Sequence, residues 1–149
     1  MGFDGSRRVM LAAALGLAAA SLLPATGALA DEGGRLSTHV LDTLSGKPAG
    51  GMKIDFYVSE NGAYRLVTQM TTNADGRTDK PVLAGDALKA GRYQFVFHVG
   101  DYFQAKGVPQ SDPPFLDLVP IQFSIADAKA HYHVPLLTTP WSYSTYRGS

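Results

Sequence analysis

No cysteine occurs among the 149 residues. That excludes disulfide staples, zinc–thiolate sites and thiol nucleophiles, and it leaves no thiol for an oxidising compartment to attack. Charge is sparse and balanced, with 13 Lys and Arg against 13 Asp and Glu and no run of one sign. A nucleic-acid binder, or a protein drawn to an anionic membrane surface, would show the opposite. Only one apolar run is long, Val9 to Leu23, and its 15 residues fall short of the roughly 20 that a helix needs to cross a bilayer. Helical periodicity is scarce, and internal repeats and low-complexity linkers are missing.

What is present begins with an export signal. Arg7 and Arg8 precede the apolar run, Pro24, Thr26 and Gly27 break it, and Ala28-Leu29-Ala30 supplies the small-x-small pattern that a signal peptidase cuts. Cleavage is expected before Asp31, with residues 1–30 removed and residues 31–149 folding as one domain in the periplasm. Ser6 to Leu11, with its paired arginines, also resembles a twin-arginine signal; the ordinary secretory route leads to the same compartment. Taking the first 30 residues from 149 leaves 119, with 11 basic and 12 acidic side chains, a formal charge of −1 and no membrane segment. A chain of that size supports one core and gains from oligomerisation.

From Leu36 onward apolar residues recur with period two, the mark of strands with one buried face. Leu36 to Asp42 reads as a first strand, Ile54, Phe56 and Val58 mark a second, and Asn61-Gly62 turns it into a return strand from Arg65 to Thr72. Asn73-Ala74-Asp75-Gly76 is another turn, and the stretch from Thr78 to Ala90 reads as irregular. Tyr93 to Val99 is the clearest strand. A short helix is expected from Asp101 to Lys106, then a proline-rich loop from Val108 to Pro120. Ile121 to Ile125, His131 to Leu137 and Ser142 to Tyr146 complete the set. About seven or eight short strands in two sheets, with one short helix, make an all-β sandwich.

Four polar elements are unusual for a plain sandwich. His39 interrupts the first strand; Arg77 follows the Asp75-Gly76 turn. His131-Tyr132-His133 places both imidazoles on one strand face and the tyrosine on the other. The chain closes on Tyr146-Arg147-Gly148-Ser149. Each has an ordinary reading: a solvated strand histidine, a simple turn, a frayed tail. The two histidines could also ligate a metal, although no carboxylate or cysteine partner stands at a diagnostic spacing. Periodicity and composition alone support only an exported β-sandwich.

His39-Val40-Leu41-Asp42 followed by Gly46-Lys47-Pro48-Ala49 resembles the amino-terminal motif of the 5-hydroxyisourate hydrolase family of transthyretin-like proteins. His131 to Leu137 and the octet Ser142 to Ser149 resemble its carboxy-terminal motifs, and Gly91 to Phe103 is similar to its middle. The octet separates the enzymes from transthyretin, the hormone carrier, which shares Ser-Tyr-Ser-Thr but not the Tyr-Arg-Gly-Ser that follows. The resemblance implies a transthyretin-like sandwich, a homotetramer whose sites form where sandwiches meet, and hydrolysis of 5-hydroxyisourate to 2-oxo-4-hydroxy-4-carboxy-5-ureidoimidazoline without metal or cofactor. It implies catalytic roles for His39, Arg77, His133 and Ser149, and substrate contacts from His39, Arg77, His131, Tyr146, Arg147 and Gly148.

Those residue types suit the chemistry. An imidazole takes a proton near neutral pH, so His39 and His133 are both candidates for general base and proton relay. The fixed guanidinium fork of Arg77 matches the oxygens of a planar imide and the charge that develops on them. Ser149 would bring a hydroxyl and, as the last residue, an α-carboxylate. Gly148 permits close backbone approach, and Tyr146 offers a ring and a hydroxyl. A nucleophilic serine at a chain end is hard to hold rigidly, so direct attack by water is favoured. The alternative function is a periplasmic transthyretin-like carrier that binds a small ligand without catalysis.

Overall fold

The computed structural model describes residues 33–149. The export signal read in residues 1–30 lies outside the described residues. In chain order the strands are Arg35–Ser37 (β1), Val40–Asp42 (β2), Lys47–Pro48 (β3), Lys53–Glu60 (β4), Ala63–Thr71 (β5) and Leu83–Ala84 (β6). Gly91–His98 (β7) leads into a helix, Val99–Ala105 (α1), and Leu118–Ile125 (β8), His131–His133 (β9), Leu136–Thr138 (β10) and Tyr143–Thr145 (β11) follow. They form an antiparallel sheet in the order β5-β4-β7-β8 and two smaller sheets, β6-β1-β9 and β11-β10-β2-β3.

Alternation builds the core as the sequence pattern requires. Ile54 and Phe56 on β4, Phe95 and Phe97 on β7, and Val119 and Ile125 on β8 are buried. They join Leu36, Val40, Tyr132 and Leu136 from the smaller sheets in one hydrophobic cluster. Aromatic rings dominate it, with Phe95 at 5.2 Å from Phe56 and 5.3 Å from Phe123 between ring centroids. Fully burying a phenylalanine contributes about 1.5–3 kcal/mol, so this sheet is the rigid base of the molecule.

The sandwich class agrees with the sequence reading, and the strand count among the described residues rises to eleven for a specific reason. The expected strand from Leu36 to Asp42 divides at Thr38-His39, and the one from His131 to Leu137 divides at Val134-Pro135. Pro135, with no N–H to donate, adds no backbone bond of its own at the second break, while the N–H groups of Val134 and Leu136 on either side of it still donate to Ser37 and His39. The segment expected to be irregular carries the short strand β6 and a 3₁₀ turn, Gly85–Ala87. The helix begins two residues earlier than expected, directly off the end of β7.

The turn at Gly76 locks one wall in place. Gly76 has φ +72°, and a Cβ there would collide with the Val40 carbonyl oxygen and stand 3.2 Å from the His39 ring. Replacing Gly76 with Ala is expected to lower the unfolding free energy by about 1–2 kcal/mol from the left-handed backbone alone, read as a shift in the urea midpoint. An unchanged midpoint would show that the turn relaxes without cost.

Candidate active site

The site is assembled where the two divided strands cross. β1 runs parallel to β9 with Ser37 opposite His133, and β2 runs parallel to β10 with Val40 opposite Leu136. Between these pairs the Val134 N–H donates to the Ser37 carbonyl (3.0 Å) and the Leu136 N–H to the His39 carbonyl (2.9 Å). The Thr38 hydroxyl donates to the Val134 carbonyl at 2.8 Å. Two segments 96 residues apart are therefore held in fixed register, and the rings of His39 and His133 stand 6.4 Å apart between centroids, tilted by 43°.

Arg77 arrives from the third direction. The Asn73 carboxamide oxygen accepts the Asp75 N–H at 3.0 Å and the Arg77 N–H at 3.2 Å, which closes the Asn73–Gly76 turn. Arg77 then forms an antiparallel bridge with His39, reinforced by the Val40 N–H donating to the Gly76 carbonyl at 2.8 Å. Its guanidinium takes part in none of the ion pairs found among the described residues, so it is available to a ligand.

The electrostatics favour neutral imidazoles. Burial, then the Arg77 charge, holds His39 below the ordinary histidine value, opposed by a hydrogen bond to the Asp75 backbone and by the Asp75 carboxylate. Burial, then Arg77, then His39, lowers His133 in the same way. His39 Nε2 is buried without a hydrogen-bond partner, so the Asp75 contact falls to Nδ1 and Nε2 is left as a lone pair. An unpaired buried polar atom costs about 1–3 kcal/mol, and this one belongs to a ring 6.4 Å from that of His133.

A cavity of about 220 Å³ opens at this place, lined by Arg35, Ser37, Arg77, His131, Tyr132, His133 and Ser149. Arg77, His133, His131 and Ser149 thus converge as the sequence reading expects; His39 is not among the lining residues, and its ring stands 6.4 Å from that of His133. Gly148 exchanges backbone hydrogen bonds with His133, N–H to carbonyl at 2.8 and 3.2 Å. A Cβ on Gly148 would meet His133 Cβ at 3.0 Å and Cδ2 at 3.1 Å, so any larger residue would press on that ring and require it to give by a few tenths of an ångström. Tyr146 and Arg147 do not line this cavity within one chain. They border a separate hollow of about 190 Å³, where the Arg147 guanidinium lies 4.8 Å from the centre of the Tyr132 ring. Strand alternation explains the split: His131 and His133 face the cavity, and Tyr132 is buried at 7 % exposure with Arg147 over it. Arg35 and Ser37 are lining residues that sequence reasoning missed, because only the pairing of β1 with β9 brings them here. No three His, Cys, Asp or Glu side chains gather into a metal-holding group among the described residues.

Comparison with known proteins identifies the family of the chain. Residues 36–148 match the model of the HIUase/Transthyretin family. A 5-hydroxyisourate hydrolase of Rhizobium meliloti is 57% identical over 116 residues, spanning 78% of this chain and 97% of the relative. The crystal structure of (S)-allantoin synthase superposes with a TM-score of 0.75 at 46% identity, covering 80% of this chain but 45% of that longer one. The Klebsiella pneumoniae 5-hydroxyisourate hydrolase superposes with a TM-score of 0.62 at 34% identity, covering 78% of this chain and 94% of the other.

Because Arg77 helps to depress both imidazoles, its charge can be tested directly. In an NMR titration His39 and His133 should both titrate below the ordinary value of about 6.5, and Arg77→Gln should move both upward. Midpoints indifferent to that substitution would remove Arg77 from the electrostatics of the site.

Proposed function

The chain belongs to the HIUase/transthyretin family, and on that premise we infer that it hydrolyses 5-hydroxyisourate, opening the six-membered ring at a carbonyl–nitrogen bond. The product is 2-oxo-4-hydroxy-4-carboxy-5-ureidoimidazoline, and the place of the reaction is purine breakdown. The observation that carries the reading is the meeting of Arg77, His133 and Ser149 in one cavity beside a buried, unpartnered His39 Nε2.

In the proposed mechanism Arg77 binds the oxygens of the planar ring and stabilises the negative charge that forms on the attacked carbonyl, a contribution of about 3–4 kcal/mol for one well-placed donor. His39 Nε2 takes a proton from water as its oxygen bonds to the carbonyl carbon. The proton then passes from His39 to His133 Nε2, which delivers it to the departing nitrogen as the carbon–nitrogen bond breaks. His131 and Ser149 line the entrance and position the polar ring, and Gly148 lets the closing segment lie flat against His133. No serine nucleophile is required.

A homotetramer is the proposed working form. Its support is the wide exposure of Leu44, Trp141, Tyr143 and Tyr146, between 46% and 57%, apolar surface of the kind that subunit contacts cover. In such an assembly Tyr146 and Arg147 reach the substrate from a facing subunit. Export to the periplasm, by the general secretory or twin-arginine route, is proposed from the order of basic, apolar and small residues before Asp31, and residues 31–149 are the proposed mature domain. Recovered periplasmic protein should begin at Asp31.

Supplied with urate oxidase and urate, the protein should speed the loss of hydroxyisourate absorbance. Binding without acceleration would instead identify a carrier. His39→Ala and Arg77→Ala should each lower kcat about 100- to 1,000-fold with thermal stability kept; wild-type rates would exclude them from the chemistry. Since both imidazoles work unprotonated and are depressed, kcat/KM should hold from neutral pH down past the ordinary histidine range and fall only as pH drops through the lowered values.

A further inference from the structure

One polar contact in the cavity has no role in the mechanism above. Ser37 Oγ lies 2.9 Å from His133 Nδ1. The contact is built into the fold, because Ser37 and His133 are direct partners in the parallel β1–β9 pair. The ring is also held from another side: Gly148 is packed so closely that a Cβ would stand 3.4 Å from His133 Cγ. A ring fixed by a hydroxyl at Nδ1 and a backbone at its flank can offer an incoming molecule only Nε2.

Which proton that nitrogen carries is set by what Nδ1 does. Ser37 can accept from an Nδ1–H or donate to a bare Nδ1, and each choice gives His133 the opposite tautomer. Arg77 lines the same cavity, and its positive charge favours a lone pair over an N–H on the nitrogen turned toward it. We propose that Ser37 is a positioning residue for the hydrolysis: its hydroxyl accepts the Nδ1 proton of His133, fixes that tautomer, and presents Nε2 as the nitrogen that receives and returns the proton. The Nδ1–H···Oγ bond is the same in the neutral and the protonated ring, so it holds through the cycle. This role rests on the hydrolase reading, while the contact itself does not.

The test uses the purified full chain and two variants. Ser37→Ala removes the hydroxyl, and Ser37→Thr keeps it. With thermal melts unchanged, Ser37→Ala should lower kcat about 10- to 100-fold, the loss seen when a metal-bound imidazole is deprived of its orienting partner, while KM stays within about twofold. In ¹⁵N spectra His133 should show a protonated Nδ1 and a bare Nε2 in the unsubstituted protein and an averaged pair in Ser37→Ala, with Ser37→Thr restoring both kcat and the pattern. An unchanged ¹⁵N pattern in Ser37→Ala overturns the proposal, and so does a changed pattern with undiminished kcat. Failure of the unsubstituted chain to hydrolyse 5-hydroxyisourate would strike the hydrolase reading, with the ¹⁵N comparison still deciding the Ser37 contact.

Discussion

The parallel pairing of two divided strands is the constraint from which the rest follows. β1 meets β9 and β2 meets β10 in one continuous register, and the gap between the pairs holds Thr38, His39 and Val134. A slip of one residue would turn every side chain to the opposite face, sending His133 into the core and Tyr132 into the cavity. The core prevents that slip, because Leu36, Val40, Tyr132 and Leu136 are all buried in the same cluster. Apolar packing on one face thus sets the chemistry on the other.

Around that junction the charges are arranged to keep bases neutral. Burial and a nearby cation act in the same direction on both imidazoles, and among the described residues no carboxylate is paired with the guanidinium that supplies the field. The histidine paired with a carboxylate lies elsewhere: His98 Nε2 bonds Asp55 at 2.9 Å on β7 and β4, outside the cavity. Two histidine environments in one sandwich therefore differ through their partners, a carboxylate for His98 and a nearby guanidinium for His39 and His133.

Much of this was legible in the residues. Alternation at Ile54–Val58 and Tyr93–Val99, and turn chemistry at Asn61-Gly62 and Asn73–Gly76, located the main sheet and the turn that presents Arg77. The division of the first and ninth strands was not legible, for a physical reason. Through the first break burial continues to alternate, at Leu36, Thr38 and Val40, and at the second Val134, Pro135 and Leu136 are all buried, so neither pattern marks the place where the strand divides. Side-chain periodicity records which face a residue occupies and carries no information about which neighbour receives its hydrogen bonds. Ser37 escaped notice for the same reason, since its partner is 96 residues away. Tyr146 and Arg147 were grouped with Gly148 and Ser149 by adjacency in sequence, but Tyr146 and Arg147 border a separate hollow, while Ser149 lines the cavity and Gly148 bridges His133.

The guanidinium of Arg77 guards the site as well as priming it. Two uncharged imidazoles 6.4 Å apart would ordinarily be a landing place for stray copper or nickel, ions that bind such nitrogen pairs avidly. A cation fixed beside the rings opposes an arriving dication by the same repulsion that opposes a proton, and at twice the charge the effect is doubled. The same charge that lowers the proton affinity of both imidazoles thus also works against a metal ion settling between them.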